Sequence, residues 1–470
     1  MSDASLPLVQ EISPLPDAEE AFLRLSQLPH CIFFDSARRD PTLGRYSFLA
    51  ADPFDYFEIP ADGSDGLETL GHKLSPFRTS RRTDLPPFQG GAAGLFSYDL
   101  GRAFENLPLP CFDEFTIPAM AVGLYDVVLA IDHIAGRAWL ISQGFPEQDP
   151  AARFARAERR LKDFGERLNQ PRSASQPVLA KTDALPKANL APQFPVTAIP
   201  GLTSNFDRAA YLAAVERAIE YIRAGDIFQV NLAQRLLFPA TDSSVALYLR
   251  LRQRNSATFA GYFDAGVFQI CSASPERFLQ VVEGKAEARP IKGTRGRTFR
   301  PEADLFAGDE LRESEKDRAE NVMIVDLLRN DLSRVCLPES VRVTQLCKLE
   351  LYEFVQHLVS SVCGTLRPGR TALDLLQAAF PGGSITGAPK VRAMEIISEL
   401  EPTARGPYCG SLGYLGFDGS MDTSILIRTL TASKGWWQLP VGGGIVAQSV
   451  PEREYEETWQ KAEGMLRALR

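Results

Sequence analysis

The sequence predicts a mixed α/β protein, because runs typical of strands and runs typical of helices alternate along its 470 residues. Cys31 to Ser36 is a short apolar run that predicts a buried strand. Met120 to Ile131 is a longer β-rich run, in which Gly123 is the position of a bulge. Hydrophobic residues make up 44% of the chain, which at this length provides a large core for two or three domains.

Further along the chain, a helix and a strand follow each other. Ser204 or Asn205 is a suitable N-cap, an apolar face recurs with helical spacing, and Gly225 ends the helix. Ile227 to Leu236 then alternates like a strand, with Phe228, Val230 and Leu232 on one face. The order helix then strand continues the mixed pattern of the N-terminal half.

One segment predicts a linker and divides the chain into two. Residues 167–203 contain six prolines, and their apolar residues do not recur with the spacing of a helix or a strand. We therefore expect an N-terminal subdomain over residues 1–166 and a second domain over residues 204–470.

Composition excludes several classes of function. The net charge is −8 and no long Lys/Arg cluster occurs, so no nucleic-acid partner is expected. The acidic N-terminus lacks a signal peptide, and no run is long and apolar enough for a membrane span, so we expect a cytoplasmic protein without a membrane partner. The seven cysteines have no zinc spacing and suit a reducing compartment, and four histidines make a histidine-based metal site improbable.

The segment Pro290-Ile291-Lys292-Gly293-Thr294 predicts a strand that ends in a turn, with a lysine amine beside backbone that glycine leaves open. A free lysine is almost entirely protonated at neutral pH, so a reactive lysine needs burial or a neighbouring cation. Most lysines in such turns are solvated. Lys292 is therefore either a reactive lysine or a solvated turn residue, and the other motifs of the chain bear on this choice.

Two acidic helices predict a metal site. On one, Asp317 and Glu320 lie one turn apart, and on the other Glu454, Glu457 and Lys461 share a face. Carboxylates from separate helices are ligands that Mg²⁺ accepts while it keeps positions for water and an anionic substrate. The alternative is that these residues simply form the solvent-exposed faces of two helices, which would give the same pattern.

Four further features suit a ligand-binding or catalytic site, and each has an ordinary structural explanation. The run from Gly382 to Lys390 opens a helix with Pro389 at its first position, so its free N–H groups and the Thr386 hydroxyl could hold an anion. It is not a P-loop, because alanine follows Gly387. Arg428 could pair bidentately with a carboxylate or be a surface cation.

The other two are a glycine run and a histidine. Gly442 to Gly444 either form a loose hairpin or let a ligand lie against bare backbone. His357, with apolar neighbours in sequence, is more typical of a hydrogen-bonded core residue than of a catalyst.

Taken in order, these segments resemble the chorismate-utilising enzymes. The matching pieces are IFQVNLAQRL, SASPERF, RPIKGTRGR, EKDRAENVMIVDLLRNDL, QHLVSSVCG, FPGGSITGAPKVRAMEII, GYLGF, IRTL and GGGIVAQSVPEREYEETWQKA. They cover roughly Asn205 to Leu469, and FQGGAAGLFSYDLGR extends the similarity into the N-terminal half. The resemblance implies a sandwich of antiparallel sheets with helices outside, like that of anthranilate synthase, in which the two subdomains form one body.

Within this superfamily, Lys292 resembles the aminodeoxychorismate synthases, whereas anthranilate synthases typically carry alanine there. Isochorismate-forming relatives typically carry a lysine where this chain has Gln229. The implied reaction is amination of chorismate at C4 through a lysine-linked intermediate, on the route to 4-aminobenzoate and folate. The alternative is the reaction of anthranilate synthase component I. A catalytically silent chorismate-binding subunit is the alternative from another class.

The resemblance also implies a role for each motif residue. Lys292 is the expected nucleophile, Glu276 of SASPERF is the general acid and later base, and His357 lies close to the ring. Mg²⁺ is the expected cofactor. The expected metal ligands are Glu320 and Glu457, with Glu454 nearby. The residues expected around the substrate carboxylates are Thr386, Tyr414, Arg428, Gly443, Gly444 and Lys461.

The implied partners are chorismate, ammonia and a separate glutamine amidotransferase subunit. The chain carries no Gly-x-Cys-Leu-Gly glutaminase motif, so we do not expect it to release ammonia from glutamine. No fused lyase sequence follows Arg470, so the expected product is aminodeoxychorismate rather than 4-aminobenzoate.

Overall fold

The computed structural model of the chain describes residues 7–41, 43–170, 184–297, 300–351 and 355–470. Its helices, within these ranges, are α1 (Ala18–Leu25), α2 (Gly66–Leu74), α3 (Pro150–Asn169), α4 (Arg208–Ala224), α5 (Ser244–Arg254), α6 (Pro301–Glu313), α7 (Glu315–Ser333), α8 (Ala372–Ala379), α9 (Lys390–Leu400) and α10 (Pro451–Ala468).

Strands occur in both halves of the chain. Those before residue 205 are β1 (Leu8–Glu11), β2 (Ile32–Asp35), β3 (Tyr46–Ala50), β4 (Asp55–Ile59), β5 (Gly91–Phe96), β6 (Met120–Tyr125), β7 (Val127–Asp132), β8 (Arg137–Ser142), β9 (Phe194–Pro195) and β10 (Thr203–Ser204). Those after it are β11 (Gln229–Pro239), β12 (Phe259–Asp264), β13 (Phe268–Ser274), β14 (Arg277–Val282), β15 (Lys285–Ala288), β16 (Ile291–Gly296), β17 (Arg342–Leu351), β18 (Val355–Thr365), β19 (Gly387–Ala388), β20 (Ser411–Gly416), β21 (Met421–Ile425), β22 (Thr429–Ser433) and β23 (Trp436–Ile445).

The strands form two antiparallel sheets. The larger sheet has 13 strands in the order β1-β8-β7-β3-β2-β12-β13-β22-β23-β11-β10-β9, with β19 beside β11. The smaller has ten in the order β16-β18-β15-β14-β21-β20-β5-β6-β4, with β17 beside β18. Each sheet joins strands from both halves of the chain, at β2–β12 in one and at β5–β20 in the other. The two halves are therefore one body, as predicted.

The sheets pack face to face and carry helices on their outer faces. Ile32, Phe48 and Phe263 of the larger sheet share one apolar cluster with Leu95 and Leu412 of the smaller sheet. A second cluster packs α1, α3, α5 and α10 on the larger sheet, and a third packs α2, α7, α8 and α9 on the smaller. The predicted sandwich with helices outside is confirmed. Burial of these apolar faces is the main stabilising term for such a fold.

Several local predictions require correction. The run from Met120 to Ile131 forms two strands rather than one, because the chain turns at Asp126, a fully buried carboxylate bound by Arg156 and Arg160. No bulge occurs at Gly123, whose pairing with both neighbouring strands is regular.

The predicted helix after the linker is also adjusted. Helix α4 is capped by Asp207, whose side chain accepts from the backbone N–H of Ala210, and Ser204 lies in β10 instead. Its end at Gly225 is as predicted, with a left-handed φ of 86°. The following strand begins at Gln229, so Phe228 precedes it and is exposed.

The predicted linker is only partly an irregular segment. Helix α3 extends through Arg167 to Asn169, and residues 171–183 lie outside the described residues. The rest of the linker packs on the larger sheet: the indole N–H of Trp436 donates to the Leu185 carbonyl at 2.9 Å, and Thr203 pairs with Leu237. The division into residues 1–166 and 204–470 stays a prediction.

Candidate active site

Lys292 lies within β16, not in a turn after a strand as predicted. The ladder between β16 and β18 shifts by one residue between Lys292 and Thr294. Gly293, the extra residue, has a left-handed φ of 79°, which is the geometry of a glycine bulge. A Cβ atom at this position would lie 2.8 Å from Leu311 Cδ1. The glycine therefore allows the bulge that sets the direction of the neighbouring lysine.

The ammonium group of Lys292 has two neighbours from elsewhere in the chain. Its Nζ donates to the Ser384 carbonyl oxygen at 3.2 Å and lies 3.8 Å from Glu320 Oε2. Its side chain is 14% exposed, so the amine is removed from bulk water yet still accessible.

Glu276 connects β13 to β14 and is buried. Its Oε1 accepts a hydrogen bond from the Ser384 hydroxyl at 3.1 Å. Burial raises the pKa of this carboxyl to about 7, while Lys292, the Ser384 hydrogen bond and Arg428 oppose the shift. At neutral pH the group is present in both protonation states, which suits an acid that also acts as a base.

Ser384 is the functional residue that sequence reasoning missed. It lies in the short helical turn Gly383–Ile385, and it contacts Lys292 through its carbonyl and Glu276 through its hydroxyl. The turn is held from behind by Arg405, which donates to the Ile385 carbonyl at 3.0 Å. The motif GGSITGAPK contains Ser384 two residues before the predicted Thr386.

Thr386 is fully buried next to this turn, and its hydroxyl donates to the Gly382 carbonyl at 2.9 Å. The helix that follows begins at Lys390, so Pro389 is its N-cap rather than its first residue. The Lys390 ammonium is bound by Asp331 at 2.8 Å, which fixes the helix start against α7.

Arg428 is close enough to Glu276 and to His357 for its charge to influence both groups. Burial lowers the pKa of Arg428, whose guanidinium has no hydrogen-bond or ion-pair partner among the described residues. Burial and the Arg428 charge lower the pKa of His357 to about 4, so its imidazole is neutral at pH 7. A partly buried guanidinium without an anionic partner is costly, and a substrate carboxylate would compensate it.

The three predicted metal ligands face the glycine run. Gly442 to Gly444 do not form a hairpin; they lie inside β23 and pair with β11. A Cβ atom on Gly443 would lie 3.5 Å from Glu454 Oε2 and 3.6 Å from Glu457 Oε1, and one on Gly444 would lie 3.8 Å from Glu320 Oε2. The bare strand thus leaves a space bordered by three carboxylates from two helices.

Lysines neutralise part of this acidic group. Lys461 Nζ lies 2.7 Å from Glu457 Oε1 and donates to the Gly442 carbonyl at 2.9 Å. Burial raises the pKa of Glu320. Burial also acts to raise the pKa of Glu457, but Lys461, Lys316 and Lys292 together lower it by more. Across the part of the chain that the structure describes, no three acidic, histidine or cysteine side chains form a ready-made metal cluster. Glu454 Oε2, however, is buried without a hydrogen-bond partner.

Tyr414 is the one predicted site residue that the structure separates from the others. Its ring stacks on Phe88 with centroids 4.4 Å apart and contacts Phe34 and Phe48. It lines a different cavity of about 140 Å³ between the sheets, together with Ser36. The other eleven predicted residues lie on the segments that converge around Lys292 and the glycine run.

Comparison with known proteins identifies the family. A family model described as chorismate binding enzyme matches residues 32–467, nearly the whole chain. The chain belongs to the chorismate-binding enzyme family. Chorismate is therefore the substrate that the family uses, and the site around Lys292 is where this chain's matching motifs converge.

Individual relatives within the chorismate-binding family carry two different names. The chain is 44% identical over 470 residues to aminodeoxychorismate synthase component 1 of Klebsiella aerogenes, covering 97% of each protein. It is 43% identical over 397 residues to anthranilate synthase component 1 of Thermus thermophilus, covering 83% of this chain and 79% of the relative. A crystal structure of anthranilate synthase component I from Streptococcus pneumoniae matches with a TM-score of 0.76 at 32% identity, over 91% of this chain and 93% of that one.

None of the helices that the structure describes is long and apolar enough to span a membrane.

Proposed function

We propose that this chain is component I of an aminodeoxychorismate synthase, which aminates chorismate at C4. The observation that carries the proposal is the lysine amine of Lys292 in contact with Ser384, which also binds the acid Glu276. A site that only binds chorismate has no need of an amine beside an acid whose pKa is near 7. The route supplies 4-aminobenzoate for folate.

The proposed reaction has two displacements. In the first, the Lys292 ammonium releases a proton to solvent. Its neutral amine then forms a bond to C2 of chorismate, the double bonds shift, and the C4–O bond breaks. Glu276 donates its proton to the departing hydroxyl, which leaves as water, and then accepts a proton from the new C2-bound nitrogen. In the second, ammonia attacks C4, the double bonds shift back, and the bond to Lys292 breaks. Glu276 protonates the leaving lysine nitrogen and recovers a proton from the new amine.

Recognition of the substrate dianion rests on fixed cationic and polar groups. The Arg428 guanidinium is available for one carboxylate, in the bidentate geometry that arginine favours. The backbone at Gly443 and Gly444, which carries no side chains, has Lys461 beside it and suits a second anionic group. His357 is neutral, so it contributes a hydrogen bond near the ring rather than a charge.

Magnesium is part of this proposal. Glu320 and Glu457 provide the hard oxygen ligands that Mg²⁺ prefers, with Glu454 nearby, and two protein carboxylates with water and a substrate oxygen are a usual set for this ion. The buried, unpartnered Oε2 of Glu454 is consistent with a cation in this space. When bound, the metal would neutralise and orient the ring carboxylate.

The proposed ammonia source is a glutamine amidotransferase subunit. The relatives are named component 1, which implies a second component for those proteins, and this sequence lacks a glutaminase motif. We propose the same division of labour here, in the cytoplasm.

The function is tested by identifying the product. The purified chain is incubated with chorismate, ammonium and Mg²⁺, and the products are separated by chromatography and mass spectrometry. We expect aminodeoxychorismate from ammonium, and none from glutamine until an amidotransferase subunit is added. Anthranilate as the main product would support the alternative, which the 43% identity to an anthranilate synthase favours. Glutamine-dependent turnover by the chain alone would contradict the proposed partner.

A second prediction concerns the metal. Glu320→Gln replaces one charged ligand and should raise the Mg²⁺ concentration for half-maximal rate by ~10-fold or more, since a neutral amide binds this hard cation weakly. Asp326→Asn on the same helix is the matched control, because Asp326 is 79% exposed and forms a surface ion pair with Arg329. Undiminished activity in excess EDTA would refute the metal requirement.

A further inference from the structure

Each of the three predicted metal carboxylates is paired with a lysine. Glu320 is paired with Lys292 at 3.8 Å, Glu457 with Lys461 at 2.7 Å, and Glu454 with a third lysine, Lys316, at 3.5 Å. Two of these lysines already have a place in the proposed reaction. Lys316 has none.

Lys316 bridges the two acidic helices. It lies in the first turn of α7, one turn before Glu320, whereas Glu454 lies in the first turn of α10. Burial lowers the pKa of Lys316, but its net pKa is raised by the charges of three carboxylates. In decreasing order of effect these are Glu454, Glu320 and Glu457. Its ammonium therefore experiences the field of all three carboxylates at once.

The attachment of Lys316 differs from that of the other two lysines. Lys292 and Lys461 each donate to a backbone carbonyl, of Ser384 and of Gly442, in addition to their ion pair. Among the described residues, Lys316 has only Glu454 as an ion-pair partner, and its side chain is 48% exposed. A long side chain held at one point can move into solvent when its carboxylates acquire another cation.

We propose that Lys316 is an intramolecular competitor of Mg²⁺: it neutralises the carboxylates in the metal-free protein and is displaced when the ion binds. This proposal rests on the metal site of the proposed function. The ammonium compensates the buried Glu454 carboxylate, which would otherwise be an unpaired charge. The same charge repels an approaching divalent cation, so Lys316 raises the Mg²⁺ concentration at which the site fills.

The test is direct measurement of Mg²⁺ binding to the full chain by isothermal titration calorimetry with MgCl₂, without substrate. Lys316→Gln should lower the Kd for Mg²⁺ by fivefold or more, and Lys316→Met should change it in the same direction. Lys316→Arg keeps the charge and should leave the Kd closer to the wild-type value. Lys162→Gln is the matched control, since Lys162 pairs with Glu166 on the exposed surface of α3.

Thermal unfolding gives an independent readout. In EDTA, Lys316→Gln should unfold at a lower temperature than the wild type, because Glu454 loses its partner. Saturating Mg²⁺ should then raise its Tm by more than that of the wild type, as tighter binding to the native state requires.

The outcomes separate this proposal from the proposed function. If the wild type binds Mg²⁺ and Lys316→Gln and Lys316→Met bind it equally or more weakly, the competitor role is overturned while the metal site stands. If the wild type shows no Mg²⁺ binding by calorimetry or by a change in Tm, the metal site itself is overturned, and the competitor role with it.

Discussion

Lys292→Ala is expected to lower the rate of aminodeoxychorismate formation by about a thousandfold or more, because loss of covalent catalysis costs several kcal/mol of activation free energy. Chorismate should still bind. The hydrogen bond between Ser384 and Glu276 does not involve the Lys292 side chain, so the variant should keep it. Arg428 is likewise not held in place by Lys292. The measurement is the single-turnover rate, together with chorismate affinity from equilibrium binding.

The product of Lys292→Ala is as informative as its rate. With the amine removed, the C2 face of the substrate is open to ammonia, so some anthranilate-type product is expected and can be identified by mass spectrometry. Lys434→Ala is a suitable control, because Lys434 also donates to a backbone carbonyl, that of Glu114 at 3.0 Å, away from the site. Near wild-type formation of aminodeoxychorismate by Lys292→Ala would refute the covalent mechanism and the assignment to this branch.

Glu276→Gln is expected to lower the rate by about a hundredfold or more, the usual contribution of a positioned general acid. Glutamine preserves the volume and can still accept from the Ser384 hydroxyl, but it cannot exchange a proton. Glu287→Gln is the matched control. Glu287, on β15 of the smaller sheet, also accepts from a serine hydroxyl, that of Ser361 at 2.8 Å.

The pH dependence of the wild type should report Glu276. Its pKa is raised to about 7, so the protonated form needed for the first displacement declines as the pH rises through 7. At constant free ammonia, the wild-type rate should therefore contain a decline above pH 7 that Glu276→Gln lacks. A wild-type decline that persists in the variant would assign it to another group.

Glu276 should also make the stability of the wild type depend on pH. A folded-state pKa above the ordinary glutamate value means that the stability contributed by the protonated form of Glu276 is present at low pH and is lost as the pH rises through 7. Glutamine does not titrate, so the Glu276→Gln variant should not lose this stability as the pH rises. The free energy of unfolding of the variant minus that of the wild type should thus be larger at pH 8 than at pH 5. Chemical denaturation at the two pH values would measure this difference. An inactive variant that is destabilised at pH 8 would instead indicate a structural role.

The sequence by itself determined features that depend on near neighbours and on motif composition. The stop of α4 at Gly225 follows from the left-handed conformation that glycine adopts without strain. The buried strand at Ile32–Asp35 follows from its apolar run. The resemblance of whole motifs predicted Lys292 and Glu276 as site residues, and the structure places both against Ser384.

Only the tertiary structure decided which residues meet. Lys292 and Ser384 are 92 positions apart, and their contact depends on the register of β16 against β18 and on the bulge at Gly293. Tyr414 faces the cavity between the sheets because alternate residues of β20 point to opposite faces, which the motif GYLGF does not reveal. Lys316 and Glu454 form their ion pair because the first turns of two helices from distant parts of the chain lie next to each other. Local propensity acts over a few residues, whereas these contacts are set by the packing of the two sheets.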